Sequence, residues 1–286
     1  DDDKMVLPLR ADLDQALLDA AMVAGVDIVT SSTAVGADPA GRLILEDGSE
    51  LSADLVVAAD GAYSRIRESL LLTDRVAYLR EGYTRLLVPN LPGDEDSVIT
   101  EAWHGTRRLL FCPCTDEFHY VALSCRVDDR PGRAIPLEKV TWQESFPAFA
   151  EIIDRTGEDG RWDRGMTVRC RAWSDGRVVV VGDAAHAQAP NLGQGANMTF
   201  TNAVSLAAAV TSATDVVAGL AAWERRERPL TEHVQRWSHG YGWLVSMWPE
   251  HMAQARSQVL QLLTGIPWVD AQLNRAARHL PVGDLG

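Results

Sequence analysis

The run Val178-Val179-Val180-Val181, closed by Gly182 and Asp183, constrains this chain more than any other stretch. Four β-branched residues in a row suit a strand buried on both faces, the arrangement of a parallel sheet. Gly182 ends the run and leaves Asp183 at its carboxyl end, where open α/β sheets hold their ligand crevices. Pro190, Gly193 and Gly195 mark a loop, and a helix rich in small residues is expected from about Asn197 to Val210. Strand, carboxylate, glycine loop and helix N-terminus together predict a site for a ligand with hydroxyls and an electron-rich edge. The carboxylate accepts from hydroxyls, and the loop and helix amides donate.

A chain of 286 residues has ample length for a core, in one large domain or two small ones. Its formal net charge is -13, of which Asp1, Asp2, Asp3 and Lys4 carry -2. That balance argues against nucleic acid or anionic lipid as partners, because both need basic surfaces. No apolar run is long enough to span a bilayer and no signal peptide is evident, so a cytoplasmic location is expected. Residues 1–4 followed by Met5 read as the remnant of a cleavable tag. Cys112, Cys114, Cys125 and Cys170 show neither CxxC pairing nor scaffold density, and reduced thiols are expected.

In chain order, Pro8–Gly25 starts extended and turns helical, with Asp12 as a cap, and Val26–Val29 reads as a short strand. Arg42–Leu45 and Glu50–Leu51 form a hairpin through Asp47-Gly48. Leu55–Ala58 is a second buried strand, ending at Ala59-Asp60-Gly61. Tyr83–Val88, Val98–Trp103, Arg108–Phe111 and Phe118–Arg126 alternate with turn residues and predict a mostly antiparallel sheet. Trp142–Thr156 reads as a helix with Phe146, Phe149 and Ile153 on one face, and Met166–Trp173 as a crossing strand. Helices then follow over Asp215–Arg228, with a stop at Pro229, and over Leu230–Trp248, His251–Leu263 and Pro267–Leu280.

Gly182-Asp183-Ala184-Ala185-His186, Pro190, Gly193, Gly195 and Asn197 resemble the second FAD-binding motif of the flavin-dependent aromatic hydroxylases, the para-hydroxybenzoate hydroxylase-like monooxygenases. Asn202 stands where that family usually has Asp. Asp60, Gly61, Ser64 and Arg67 match the family's DG motif, with Ala59 in place of its first glycine, and Trp223-Glu224…Pro229 is similar to its closing segment. The resemblance implies an α/β fold. A Rossmann-like FAD/NAD(P)-binding sheet (6–75 and 165–228) would interleave with a β-rich substrate domain (76–164), with C-terminal helices (229–286). It implies FAD as cofactor, NAD(P)H and O₂ as co-substrates, and a small aromatic or polyketide-like ring as substrate. Asp183 would hold the ribityl chain, Pro190 with Gly193, Gln194, Gly195, Ala196 and Asn197 would cradle the flavin ring, and Asp60 and Arg67 would sit by the dinucleotide.

The family's opening strand–GxGxxG–helix unit is not present in this sequence. In the doubly wound order that strand is central, so Leu55–Ala58 and Val178–Val181 are expected to lack their shared neighbour. A separate chain could supply it, it could have been removed or lie outside this sequence, or the protein could be a truncated non-redox homologue that no longer holds FAD by itself. Asp183 and His186 have no third partner at metal-ligand spacing, so no metal is expected. No residue stands out as a catalytic base: His104 and His119 read as locally satisfied, and no G-x-S-x-G elbow exists. Cys112-Pro113-Cys114 reads as packing, and Trp223, Trp237, Trp243, Trp248 and Trp268 as inter-helix packing or the contact of a homodimer.

Overall fold

The structure, a computed structural model, describes residues 7–91, 94 and 99–282. The tag-like residues 1–4 and Val98 lie outside them. Two compact units emerge: Asp1–Thr30, Arg80–Arg164 and Val245–Ala253 form one, and Ser31–Leu79, Gly165–Leu244 and Gln254–Gly286 the other.

In the first unit, α1 (Arg10–Val23) buries none of its residues. Its N-cap is Leu9, not Asp12; Asp12 lies in the first turn, where its charge favours the helix dipole. Val26–Val29 forms no strand, and Val29 is 75% exposed. The second unit opens with an antiparallel sheet of β1 (Ala34–Asp38), β2 (Arg42–Leu45) and β3 (Glu50–Ser52), the last two joined by the expected Asp47-Gly48 turn. β4 (Val56–Ala58), α2 (Arg65–Ser69) and the long β5 (Thr73–Pro89) follow.

β6 (Thr100–His104), β7 (Arg107–Pro113) and β8 (Phe118–Arg126) join β5 and β9 (Trp162–Cys170) in a sheet of order β6-β7-β8-β5-β9, antiparallel from β6 through β8 to β5. Alternate residues of this sheet, Val88, Leu109, Val121 and Leu123, are buried with Trp142, Phe146 and Ile153. The helix expected over Trp142–Thr156 is divided into α3 (Lys139–Ser145) and α4 (Ala150–Asp154). Pro147 separates them, because it supplies no amide hydrogen and Phe146 before it takes a non-helical φ of -133°.

β10 (Ser174–Asp175) and β11 (Val178–Val180) bring the chain into the core of the second unit, where all three valines of β11 are fully buried. Here the structure corrects the sequence expectation: β11 and β4 need no strand between them. They pair directly and in parallel, Val178 with Val56, Val179 with Val57 and Val180 with Ala58. In the sheet order β10-β11-β4, β4 is the terminal strand among the described residues, and Val57 is 48% exposed.

α5 (Asp183–His186), α6 (Gly195–Ser212), α7 (Val216–Ser246), α8 (Ala253–Thr264) and α9 (Pro267–Leu273) complete the chain. α7 runs through Pro229, where a stop was expected. Pro229 and Arg225, whose carbonyl loses its helical partner, are both exposed, so water can take up the lost bond. Trp223, Leu230 and Val234 are meanwhile buried on the inner face and hold the helix in place. No described helix is long and apolar enough to cross a membrane.

Candidate functional site

The turn after β11 is shaped by glycine. Gly182 takes φ 59°, and a Cβ there would meet Thr199 Cγ2 at 3.1 Å, so both its conformation and the approach of α6 require the missing side chain. Asp183 follows as the exposed first residue of α5, a short helix that sequence reasoning missed. Pro190 opens a single 3₁₀ turn, Pro190–Leu192, and Gly193 ends it in the left-handed region at φ 66°. No atom lies within 4 Å of where a Gly193 side chain would begin. α6 starts at Gly195, two residues earlier than expected, with Gln194 as N-cap. Met198 N–H donates to Gln194 O, so the amides of Gly195, Ala196 and Asn197 precede the first intrahelical donor. Gly193, Ala196 and Asn197 are exposed, and Gly195 is half-buried. This end of the 18-residue helix presents amides and a partial positive charge to an open face.

The DG segment reaches the same turn through Arg67. The guanidinium is 2% exposed. Its Nη1 donates to Ala184 O at 2.9 Å, its Nη2 to Ala62 O at 3.0 Å and its Nε to Thr73 Oγ1 at 3.1 Å. Arg67 therefore works as a clamp joining the two motifs, with its donors spent on protein oxygens. Ser64 caps α2 by accepting from Arg67 N–H at 2.9 Å. Asp60 is exposed, with only a long 3.4 Å bond from Ile66 N–H to its Oδ2, so its carboxylate faces outward beside Gly61.

Behind the turn lies a polar layer that sequence reasoning did not find. His186 is 4% exposed, and burial drives its imidazole down to about 4, so it is neutral near neutral pH. Asn202 Nδ2 lies 3.2 Å from His186 Nε2 and donates to Thr231 Oγ1 at 3.1 Å. Trp223 Nε1 donates to Asn202 O. Gln235 donates to both Val168 O and Ala187 O, and Ser238 Oγ to Ala189 O at 2.5 Å, while Asn191 Nδ2 donates back to Ser238 O. Thr231, Gln235 and Ser238 sit on one inward stripe of α7, at the helical spacing of four and three residues. That spacing is the only signal the sequence carried of their role. Cys170 Sγ lies 3.3 Å from Ala185 O, and burial pushes its thiol up to about 11.

His119 and His104 belong to the other unit. His119 is buried and stacks on Phe111 at 4.5 Å between ring centroids. The half-enclosed groove along α7, about 680 Å³ and lined by Glu224, Arg225, Arg228, Pro229, Glu232 and Arg236, includes residues of the closing segment but none of the Gly182–Asn197 or DG motifs.

The arrangement fits the ring-and-chain end of a flavin. The open space before Gly193 admits a flat ring edge, the α6 amides can donate to it, and the Asp183 carboxylate can accept from chain hydroxyls.

A family model described as FAD binding domain matches residues 7–238. The chain is 41% identical over 239 residues to a probable 2-heptyl-3-hydroxy-4(1H)-quinolone synthase of Rhodococcus erythropolis, covering 81% of this chain and 62% of that protein. A 2-heptyl-3-hydroxy-4(1H)-quinolone synthase of Mycobacteroides abscessus is 39% identical over 242 residues, 82% of this chain and 64% of its own length. The chain thus spans less than two thirds of these relatives. Among solved structures, a 2-methyl-3-hydroxypyridine-5-carboxylic acid oxygenase variant superposes with a TM-score of 0.81 at 33% identity, over 95% of this chain and 72% of the other.

Proposed function

Because the chain belongs to the FAD-binding domain family of flavin-dependent aromatic hydroxylases, we propose that it forms the flavin-ring and substrate portion of an FAD-dependent monooxygenase acting on an aromatic ring. One observation carries this reading: the left-handed Gly193 turn stands before the first amides of α6, and Arg67 of the DG segment is bonded to Ala184 O in the Gly182–His186 segment that leads to that turn. Asp183 would accept from the ribityl hydroxyls, and Pro190 and Gly193 to Asn197 would lie along the ring, their amides stabilising negative charge on it. Bound FAD would supply the redox chemistry, with NAD(P)H as reductant and O₂ as oxidant. The protein's part is to hold the ring, orient the substrate and exclude water. Asp60 would stand by the dinucleotide, whereas Arg67 acts from behind. The names of the relatives point to a nitrogen heterocycle of the quinolone or pyridine type as substrate, with the β-rich segment 76–164 as the surface that receives it.

The terminal position of β4 and the exposure of Val57 favour a further statement: the FAD-binding sheet is completed by another parallel strand. Parallel sheets are covered on both faces, and β4 offers a free ladder edge. A separate polypeptide or further sequence carrying a dinucleotide-binding unit would supply that strand. A homodimer and a cytoplasmic location, the latter in keeping with four free thiols, belong to the same proposal.

Titration with FAD, followed by its visible spectrum and the quenching of its fluorescence, tests the reading. Saturable binding is expected, and Asp183→Ala should weaken it by about tenfold, the loss of one charged acceptor at ~1.4 kcal/mol. Binding that ignores Asp183→Ala and Gly193→Ala alike would remove the turn from the site. FAD binding that occurs only once a second polypeptide is added would place the missing strand in trans.

A further inference from the structure

The last carbonyls of α9 end far along the chain from the glycine turn, yet the turn closes them. A helix leaves its final C=O groups without intrahelical partners. Here Gln194 Nε2 donates to Leu273 O at 2.7 Å, and His233 Nε2 lies 3.0 Å from Gln272 O. Gln194 is the N-cap residue of α6, so one side chain links the end of α9 to the start of α6. Ala276, just beyond α9, is 2% exposed and shares a small apolar cluster with Met198 of α6 and Leu230 and Val234 of α7.

Two further contacts hold this segment down. His279 Nε2 stands 2.7 Å from Glu227 Oε2, and Arg226 Nη2 donates to Leu280 O at 3.1 Å. Glu227 is fully buried on α7, where its other oxygen accepts from Ser205 Oγ at 2.6 Å and lies 3.2 Å from Arg226 Nε. A carboxylate at that depth needs every donor it has, so the His279 contact is a strong one, whereas His279 itself is still 21% exposed.

We infer that residues 267–280 form a strap that sets the conformation of the glycine turn, with His279 and Glu227 as its clasp and Gln194 as the point where it grips. His279 and Glu227 are positioning residues: they act on the turn through the strap. The consequence for flavin rests on the function proposed above; the strap itself does not. With the clasp intact, the Gln194 amide stays bonded to Leu273 O and the α6 amides keep one direction. With it open, the Leu273 carbonyl drifts and Gly193, free of side-chain restraint, lets the turn sample other conformations.

Amide hydrogen exchange on the whole chain tests this without flavin. His279→Ala should speed exchange in a peptide covering 190–198 by about tenfold while leaving β8 unchanged, and His279→Gln, whose amide can donate from the same place, should restore protection to within about twofold. Unchanged exchange at 190–198 in His279→Ala overturns the proposal. So does an equal rise in β8, or a failure of His279→Gln to rescue, since each would mark a general loss of stability. FAD titration of the same variants separates the two readings. Weaker FAD binding in His279→Ala, recovered in His279→Gln, supports a strap that acts on the flavin site. Faster exchange in a protein that binds no FAD, either alone or with an added polypeptide that supplies the dinucleotide-binding strand, leaves the strap standing and removes the function proposed for the turn.

Discussion

The sheet around β7 and β8 and the β4–β11 pair both bury aliphatic residues, yet one is closed and the other is open. In the first, Val88, Leu109, Val121 and Leu123 are sealed beneath Trp142, Phe146 and Ile153. The charges there satisfy each other: Arg107 makes two bonds to Asp129 and two more to Thr141 O and Ser145 Oγ, and Arg155 grips both oxygens of Asp94. The guanidinium of Arg155 holds the Asp94 carboxyl below the usual range. In the second region, β11 is fully buried but its partner β4 ends the sheet with Val57 half in water, and the turn beyond β11 leaves Asp183, Gly193, Ala196 and Asn197 exposed. A region whose buried charges pair with one another in this way is largely finished by folding. A region that leaves a ladder edge and a helix N-terminus on an exposed face has surface left over for a ligand.

Four substitutions can break or sharpen that contrast. The largest effect is expected from Trp142→Ala, which empties the sealed core and orphans the Gly132 carbonyl that the indole N–H serves at 3.2 Å. It should cost about 3–5 kcal/mol in denaturant unfolding, without changing FAD affinity per folded molecule. Arg67→Met comes next: it leaves the Ala184 and Ala62 carbonyls without their donors, at ~3 kcal/mol, and should abolish FAD binding even in molecules that remain folded. If FAD binding survives, the two motifs do not act as one site.

The third concerns His186. Its folded pKa of about 4 lies below the usual imidazole value of 6.5, so between these values the unfolded chain takes up a proton that the folded chain refuses. Stability should be fully present above pH 6.5 and fall as the pH drops towards 4, by ~3 kcal/mol in all. His186→Gln should flatten that slope, and an unchanged slope would assign it elsewhere. The smallest is Gly193→Ala, which costs only the left-handed backbone, ~1 kcal/mol, because nothing crowds the new methyl. Its effect should show in FAD affinity more than in the unfolding midpoint. Thiol labelling reports on each region separately: burial pushes Cys125 up to about 12 and Cys170 to about 11, so each reacts only when its own surroundings open.

Much of the site was legible because its residues speak locally. A valine run, a glycine forced to positive φ, a proline at the head of a turn and small residues in a helix each narrow the backbone before any long-range contact forms. The DG segment was legible for the same reason, although Arg67 turned out to face inward to Ala184 O. Two of the misreadings were decided elsewhere in the chain. Val26–Val29 has strand-forming residues but no ladder partner among the described residues, and strand propensity without a neighbour yields no strand. Pro229 reads as a stop, yet burial of Trp223, Leu230 and Val234 outweighs one lost hydrogen bond on the wet side.

By itself, then, the amino-acid order determined the strand, the bend after it, the helix that follows and the chemical types lining them, since these depend on steric limits within a few residues. Only the tertiary structure decided that β4 lies directly against β11, that α7 supplies the tethers behind the turn, and that His186 stays neutral. Those outcomes depend on which groups share a desolvated space, a property of pairs far apart in the chain, as Arg67 and Ala184 are at 117 residues.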